Sequence, residues 1–191
     1  MRHHDAMKRI LRNRGWQRPA AGLALLGTVV LSACSTAPQG ESIQKSLEQT
    51  TAARQTVASV ALAQVGDAYG AHMAGPSQFD DSGLAYYAYR QNGRALPRSL
   101  ADQLDTGRPI PLSQAEPGDL VFFRVDSSDG RGRLTVGLII DQNVAVVAIP
   151  GSKAQGGGVR RVALNGQYWS QRLVGVSRVL PDAPDASRGN S

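Results

Sequence analysis

The sequence predicts an α+β protein, because segments with helical patterns come first and segments with strand patterns follow. Residues 41–65 contain neither proline nor glycine, and apolar side chains recur there at helical spacing. A second amphipathic helical segment spans residues 79–93. From residue 120 onward the chain has short apolar runs rich in β-branched side chains, with turn-forming residues between them. We therefore expect N-terminal helices packed on an antiparallel sheet of about five strands.

The first predicted helix covers residues 41–65, either as one long helix or as two helices with a break near Thr50 and Thr51. Its first half is polar and is expected to pack weakly. Its second half, residues 57–65, carries apolar side chains at helical spacing and is expected to dock on the core. A glycine-rich loop over residues 66–78 follows.

The segment that reads FDDSGLAYYAYRQNG, residues 79–93, is predicted to form a compact helix. The side chains of Asp80, Asp81 and Ser82 can accept hydrogen bonds from the free N–H groups of a first helical turn, so we expect the helix to begin there. Side chains three and four positions apart share a helix face. The predicted buried stripe is Leu84, Tyr87 and Ala88, whereas Tyr86, Tyr89 and Arg90 are expected on other faces, where they can line a groove.

The remaining elements are predicted from turn residues and short apolar runs. A second short helix is expected to start near Pro97 and Ser99 and to end before Thr106. The glycine-rich stretch 151–158 is followed by neither a helix nor a Lys–Ser or Lys–Thr pair, which argues against a phosphate-binding loop. Strands are predicted over residues 120–125, 134–140, 144–149, 159–164 and 173–180.

The positive charge of the chain is concentrated at its N-terminus. The 191 residues carry a formal net charge of +6, of which residues 1–33 supply +5 through six Lys and Arg side chains against Asp5. The rest of the chain is therefore close to neutral. A protein that binds nucleic acid needs a basic surface on its folded domain, so this distribution excludes DNA and RNA as expected partners.

Residues 1–33 are predicted to be a lipoprotein signal peptide. A basic start precedes an apolar run over residues 20–33, which is too short to span a bilayer as a helix. The run ends in Leu-Ser-Ala-Cys, which resembles a bacterial lipobox, and Cys34 is the only cysteine in the chain. The alternative is an ordinary signal peptide followed by an incidental Cys34.

The lipobox resemblance implies a diacylglycerol group on Cys34 and therefore an anchor in a membrane. Ser35 follows Cys34, and by resemblance to Gram-negative lipoproteins this implies an outer-membrane anchor, with the protein facing the periplasm. Residues 34–58 are then the lipidated tether and the N-terminal helix. Residues 181–191 have the composition of a disordered tail.

The helical segment after residue 79 is also where the sequence resembles a known family. Phe-Asp-x-Ser-Gly-Leu, followed by Tyr-x-Tyr-Arg and Gly, resembles the nucleophile helix of the NlpC/p60 family of cell-wall cysteine peptidases, which have a cysteine at x. The resemblance covers residues 59–180 and implies a papain-like, NlpC-type domain there. It continues through PRSLADQ (97–103), EPGDLVFFR (116–124), LTVGLII (134–140), AIPGS (148–152) and YWSQRLVGVSRVL (168–180).

At the three positions where the family carries its catalytic groups, this chain has other residues. The resemblance aligns Asp81 with the nucleophile, Thr135 with the general-base histidine and Ala148 with the third polar residue. Cysteine peptidase chemistry requires a thiolate, a histidine that exchanges its proton and a group that orients the histidine. An aspartate that attacked an amide would form a mixed anhydride less stable than the amide itself. The sequence therefore predicts a catalytically inactive member of the family.

Two interpretations of Asp81 are open from the sequence. Its carboxylate can cap the helix and meet the positive end of the helix dipole, or it can belong to a ligand site. Asp80 and Ser82 match family positions that contact the free amine of the substrate peptide, and Tyr69 stands twelve residues before Asp81, as the family's tyrosine stands before the nucleophile. The predicted ligand-binding residues are Tyr69, Asp80, Asp81 and Ser82, and no metal or cofactor is expected.

The leading prediction is a pseudo-peptidase lipoprotein that binds a peptidoglycan stem peptide or a partner protein and acts as an adaptor or regulator of cell-wall hydrolases or synthases. One alternative is an active cell-wall hydrolase with a rearranged site around Asp81 and His72, the only histidine outside the predicted signal peptide. Another alternative is a purely structural interaction module whose groove is filled by side chains. Whether the groove around Asp81, Thr135 and Ala148 is open or filled by side chains distinguishes these interpretations.

Overall fold

The computed structural model describes residues 39–127, 130–151 and 157–182. The predicted signal peptide, Cys34 and most of the predicted C-terminal tail lie outside the described residues. Within the described ranges the three longer helices come before the main run of strands, as predicted, and a short fourth helix precedes the last strand. The helices are α1 (Gln39–Ala63), α2 (Gly83–Gln91), α3 (Leu100–Leu104) and α4 (Gln167–Ser170).

Eight strands lie in the described part of the chain, two of them in a small parallel pair and six in an antiparallel sheet. In chain order they are β1 (Ala68–Tyr69), β2 (Gln78–Phe79), β3 (Arg108–Ile110), β4 (Leu120–Val125), β5 (Arg133–Asp141), β6 (Val144–Ile149), β7 (Gly158–Ala163) and β8 (Leu173–Arg178). The first two form the small pair, and the other six form the sheet.

The six-stranded sheet has the order β3-β8-β4-β5-β6-β7, and each neighbouring pair is antiparallel. The α+β prediction is confirmed, with six strands in place of about five. Of these six strands, the sequence did not predict β3, which is short, contains Pro109 and pairs only with β8 at the sheet edge. The small pair β1 and β2 was not predicted either, because residues 66–78 were expected to be a loop. Because proline lacks an N–H donor, it is tolerated in an edge strand but weakens the sequence signal for any strand.

Helix α1 runs without interruption through Thr50 and Thr51, so the alternative of two helices is wrong. Its first half is largely exposed, whereas Val57 and Ala61 in its second half are wholly buried, as predicted. In the described ranges no helix is both long enough and apolar enough to cross a membrane. The polar first half therefore contributes little to the core, and the second half attaches the helix to it.

Arg54 ties α1 to the end of the sheet through a buried ion pair. Its Nη1 atom lies 3.0 Å from Oδ1 of Asp119, which is itself wholly buried. Its Nη2 atom donates to the main-chain oxygens of Leu180, at 3.2 Å, and Pro181, at 2.8 Å. Arg178 pairs with the other oxygen of Asp119 at 2.8 Å. Because removal of one partner from such a network leaves an uncompensated buried charge, these contacts hold α1 firmly in position.

The sheet carries apolar side chains on both faces, and β4 shows how its period-two alternation divides them. Phe122 joins the core under α1 and α2, whereas Phe123 packs edge to face against Trp169 at a centroid distance of 4.9 Å. Tyr89 belongs to the first core and is wholly buried, and its hydroxyl donates to the Gly118 carbonyl at 2.8 Å. The prediction that Tyr89 can line a groove is therefore wrong, because its ring fills the core and its hydroxyl finds a main-chain acceptor there.

Helix α2 packs closely against the loop that precedes it, and Gly83 permits this approach. A Cβ atom at Gly83 would lie 2.1 Å from the main-chain oxygen of Met73, so a larger residue does not fit. The predicted buried stripe on α2 is confirmed: Leu84 and Ala88 are wholly buried and Tyr87 is half-buried. This packing fixes the position of the residues just before the helix, which form the candidate site.

Candidate functional site

Asp81, Thr135 and Ala148 come together where the residues before α2 meet β5 and β6. The N–H of Val136 donates to the main-chain oxygen of Asp81 at 3.1 Å, and Oγ1 of Thr135 donates to the main-chain oxygen of Ala148 at 3.3 Å. The same Oγ1 lies 3.5 Å from the main-chain oxygen of Asp81. Thr135 and Ala148 are wholly buried. At the position that the family resemblance aligns with the general-base histidine, the side chain is thus a hydroxyl bonded to main-chain carbonyls.

The carboxylate of Asp81 is held by two side chains from other elements. Arg133, at the start of β5, donates from Nε to Oδ2 of Asp81 at 2.6 Å and also contacts Oδ2 through Nη2. The hydroxyl of Tyr69, at the end of β1, donates to the same oxygen at 3.2 Å. The Arg133 guanidinium also lies over the Tyr69 ring, 5.3 Å from its centroid. These three side chains form one cluster, called here the Asp81 cluster.

The two oxygens of Asp81 have different surroundings. All the donors of the Asp81 cluster converge on Oδ2, whereas Oδ1 is buried and accepts no hydrogen bond from the described part of the chain. Burial raises the pKa of Asp81 above its usual range, and the contacts with Arg133 and Tyr69 offset only part of this rise. The charged carboxylate is therefore incompletely stabilised in this position.

Of the two interpretations of Asp81, the helix cap is wrong, because its neighbour Asp80 accepts the N–H groups at the start of α2. Oδ1 of Asp80 accepts hydrogen bonds from the N–H groups of Ser82, at 3.2 Å, and Gly83, at 2.7 Å. The side chain of Ser82 makes no capping bond, and its hydroxyl instead accepts from Nη1 of Arg98 at 2.9 Å and donates to the Arg98 main-chain oxygen at 3.0 Å. The carboxylate of Asp81 accepts from Arg133 and Tyr69 instead.

Asp80 is also paired with Arg98 in a two-pronged arrangement. Nη2 of Arg98 lies 2.6 Å from Oδ2 of Asp80, and Nη1 lies 3.0 Å from Oδ1. Burial alone would raise the pKa of Asp80, but the hydrogen bonds from Arg98, Gly83 and Ser82 outweigh it and hold the pKa below its usual range. Both oxygens of Asp80 are therefore satisfied. Asp80, Ser82 and Arg98 are called here the Asp80 cluster.

Tyr69 and Arg133 are both held in the protonated form by their surroundings. Burial raises the pKa of Tyr69 to about 12, with further contributions from the Asp81 charge and its hydrogen bond, while Arg133 acts in the opposite direction. Burial would lower the pKa of Arg133, but its hydrogen bond and ion pair with Asp81 outweigh this and raise it. The phenol of Tyr69 is thus a hydrogen-bond donor at neutral pH and not a base.

An open cavity of about 630 Å³ lies beside the Asp80 cluster. His72 lies on its wall with a backbone φ of +65°, in the left-handed region. Asp80 is on the same wall, but its oxygens are already occupied by Arg98 and by main-chain N–H groups. The described residues that line the cavity are His72, Asp80, Ser82, Arg98, Ser99 and Asp102, and Asp81 is not among them. The cavity therefore groups His72 with Asp80 and not with Asp81.

Arg133, which donates to Asp81, was not among the site residues predicted from the sequence. One signal was available: Arg133 lies two residues before Thr135, so the alternation of a strand puts both side chains on one face of β5. A carboxylate buried at the site also requires a cation nearby. The sequence offers several arginines that could supply this cation. Only the fold shows that Arg133, 52 residues away from Asp81, is the one in contact with it.

The comparison with protein families identifies the group to which the chain belongs. The sequence model of the NlpC/P60 family matches residues 66–178, more than half of the 191 residues. The chain belongs to the NlpC/P60 family. This confirms the resemblance found in the sequence and the papain-like α+β fold expected from it. The NlpC/P60 family is one of cysteine endopeptidase-like cell-wall hydrolases.

Individual NlpC/P60 proteins agree with this assignment. The chain is 36% identical over 115 residues to the probable endopeptidase p60 of Listeria seeligeri. This alignment covers 60% of this chain and 20% of that protein. The chain thus spans about a fifth of the length of such curated relatives.

Two solved NlpC/P60 structures show the same fold. A Staphylococcus aureus protein described as similar to a lipoprotein of the NLP/P60 family gives a TM-score of 0.57 and 29% identity over 69% of this chain and 42% of that one. The NlpC/p60 domain of the peptidoglycan hydrolase SagA gives a TM-score of 0.52 and 25% sequence identity. This match covers 65% of this chain and 97% of the SagA domain. The likeness to SagA therefore covers almost all of that domain.

Proposed function

We propose that this chain is a catalytically inactive NlpC/P60 lipoprotein, which binds a peptidoglycan stem peptide or a partner protein and acts as an adaptor or regulator in cell-wall remodelling. The observation that carries the proposal is the set of contacts made by the Asp81 carboxylate. Asp81 stands where the family resemblance expects the nucleophile, and its carboxylate is engaged by Arg133 and Tyr69. Membership of a cell-wall hydrolase family supports the cell-wall setting.

The residues available for chemistry support a binding role over a hydrolytic one. Within residues 66–178 the chain has no cysteine, since Cys34 is the single cysteine, and His72 is the only histidine there. Thr135 cannot accept a proton near neutral pH, and its hydroxyl is hydrogen-bonded to main-chain oxygen. His72 faces a cavity beside Asp80, whose oxygens are occupied, so the alternative of a rearranged hydrolase receives no support from the geometry.

The first test is a search for hydrolysis and binding with defined muropeptides. The purified chain is incubated with muropeptides and stem peptides, with the SagA domain as an active control, and products are identified by mass spectrometry. We expect no new products from this chain and measurable binding of stem peptide by calorimetry. Product release that disappears in Asp81→Ala would overturn the proposal of an inactive protein.

A second test asks whether the missing thiol is the only obstacle to catalysis. We expect Asp81→Cys to remain inactive, because a thiol at this position still has no imidazole at Thr135 to exchange its proton. A thiol-reactive probe, applied to Asp81→Cys in a Cys34→Ser background, reports whether the introduced thiol is accessible. If the single substitution Asp81→Cys were enough for hydrolysis, another group in the chain would have to act as the base.

We also propose that Cys34 carries the lipid anchor that attaches the protein to the outer membrane, facing the periplasm. Acyl chains on Cys34 would supply the attachment, because the chain after residue 33 is close to neutral and has little electrostatic attraction for lipid headgroups. Cells expressing the wild type and Cys34→Ser are fractionated, and the membrane fractions are compared. We expect Cys34→Ser to leave the membrane fraction, and unchanged association would contradict the anchor.

A further inference from the structure

Another open cavity lies away from both aspartate clusters, at the end of the β4–β5 hairpin. It has a volume of about 580 Å³ and is enclosed by the hairpin and by the turn from α4 to β8. Three arginines line it together with Asp126: Arg124 in β4, Arg131 in the hairpin and Arg172 just before β8. None of the described lining residues belongs to the Asp80 cluster or the Asp81 cluster. The cavity is therefore a separate feature of the surface.

Basic side chains are in excess around this cavity. Residues 124–132 and 171–174 contain three arginines against two aspartates, Asp126 and Asp129. The rest of the chain after residue 33 has as many acidic as basic side chains. The net positive charge that remains after residue 33 thus belongs to this region, and a cleft with an excess of one charge attracts ligands of the opposite charge.

Arg172 is held in one orientation by its neighbours. Its guanidinium lies over the Tyr168 ring, 3.9 Å from the centroid, and its Nη1 atom donates to the Tyr168 main-chain oxygen at 3.2 Å. Its Nη2 atom lies 3.1 and 3.2 Å from the two oxygens of Asp126, which also accepts the Tyr168 hydroxyl at 3.1 Å. A guanidinium has five N–H groups, and these contacts use at most three of them. Arg172 is therefore positioned in advance and still has donors for a ligand.

Arg124 lies beside Arg172 and has its whole guanidinium available. Its main-chain N–H donates to the main-chain oxygen of Arg172 at 2.9 Å, close to the point where the pairing of β4 with β8 becomes irregular. Arg124 is exposed, and its side chain makes no hydrogen bond or ion pair with the described part of the chain. Two arginines on the wall of one cavity repel each other, and an anion bound between them would offset this repulsion.

We propose that this cavity binds the phosphate group of a small phosphate ester, with Arg124 and Arg172 as the principal donors. Most N–H groups of these two guanidiniums are not used by the described residues, and a phosphate with three oxygens accepts more of them than a carboxylate with two. The volume of about 580 Å³ leaves space for the organic part of the ester. A soluble ester and a lipid headgroup offer the same phosphate chemistry. The site does not depend on the peptide-binding function proposed above.

The test is a calorimetric titration of the full chain, reconstituted into phosphatidylcholine vesicles, with glycerol 3-phosphate as the probe. Glycerol and acetate at the same ionic strength are the comparison ligands. The variants are Arg124→Gln, Arg172→Lys and, as a matched control, Arg94→Gln. Arg94 is an exposed arginine in the loop after α2 and does not line the cavity. Melting curves confirm that each variant is folded, and the titration is repeated with phosphatidic acid in the vesicles.

We expect glycerol 3-phosphate to bind the wild type and Arg94→Gln equally, and glycerol not to bind. Arg124→Gln should weaken binding by about 10-fold, because it removes charged donors to the phosphate. Arg172→Lys should also weaken binding, because lysine keeps the charge but loses the planar fork.

Unchanged binding in Arg124→Gln, equal weakening in Arg94→Gln, equal affinity for acetate or absence of binding would each overturn the inference. None of these results bears on the binding of stem peptide, which is measured separately. If the site is confirmed, competition by phosphatidic acid identifies a lipid headgroup as the source of the phosphate. Glycerol 3-phosphate binding that phosphatidic acid leaves unchanged identifies a soluble ester.

Discussion

Asp80 and Asp81 are adjacent in the chain, and each is paired with an arginine, yet the two carboxylates are stabilised to very different degrees. Asp80 accepts the main-chain N–H groups of Ser82 and Gly83 at the start of α2 and a two-pronged contact from Arg98. Asp81 accepts all of its donors on one oxygen and leaves the other buried and unpaired within the described chain. Burial opposes ionisation at both residues, but only at Asp80 do the hydrogen bonds outweigh it.

This difference separates a carboxylate held by local main-chain donors from one held only by side chains of other elements. The Asp80 cluster uses local main-chain donors that form whenever α2 forms, so its stabilisation belongs to the fold. The Asp81 cluster depends on two side chains from β1 and β5. A pair of the second kind is expected to contribute less to stability.

The largest expected effect comes from removal of the Asp80 carboxylate. Asp80→Ala should lower the free energy of unfolding by about 2–3 kcal/mol, because it removes a helix cap and the charge-assisted bonds with Arg98. Denaturant unfolding measures the loss, and Asp81→Ala is the matched control one residue away. Equal losses in the two variants would show that the two clusters do not differ in stability.

The stabilising effect of Asp80 should also depend on pH. Because its pKa is lowered in the folded state, Asp80 contributes its full stabilisation above the unfolded pKa of about 4 and loses it as the pH falls through the folded pKa. The deficit of Asp80→Asn relative to the wild type should therefore be constant near neutral pH and should shrink below a pH of about 4. Urea unfolding at a series of pH values checks this. A deficit that grows on acidification would contradict the assignment.

Asp81→Asn should have a small effect on stability, within about 1 kcal/mol of the wild type, because the charged form that it removes is incompletely stabilised. The sign of its pH dependence should be opposite to that of Asp80→Asn. With a raised folded pKa, the Asp81 charge costs stability at neutral pH, and this cost disappears as the pH falls through that pKa. The stability of Asp81→Asn relative to that of the wild type should thus be most favourable near neutral pH. Melting curves at several pH values would contradict this if Asp81→Asn were destabilised most at neutral pH.

The smallest expected effect concerns the phenol of Tyr69. Its pKa of about 12 rests on burial and on the neighbouring charge of Asp81, so Asp81→Asn should lower it towards the usual value of about 10. Tyrosine-labelled protein is titrated by NMR, with Tyr69→Phe to assign the signal. An unchanged pKa in Asp81→Asn would show that the two side chains do not interact in solution.

Local sequence signals predicted most of the helices and strands of this protein. The absence of proline and glycine over residues 41–65 predicted α1, and the apolar runs predicted five of the six sheet strands. The edge strand β3 was missed because Pro109 interrupts its pattern. Tyr89 was misjudged because a polar tip on an aromatic ring does not reveal whether a buried acceptor, here Gly118, lies within reach.

The sequence by itself determined the α+β class, the family motifs and the lack of a cysteine or a second histidine in residues 66–178, because these follow from residue identity and local order. Only the tertiary structure decided which carboxylate caps α2 and which one reaches the sheet. Asp80 and Asp81 are equally suited to capping by type and position. The choice between them depends on Arg98 and Arg133, which lie 18 and 52 residues away and are brought close only by the packing of α2 against the loops and strands around it.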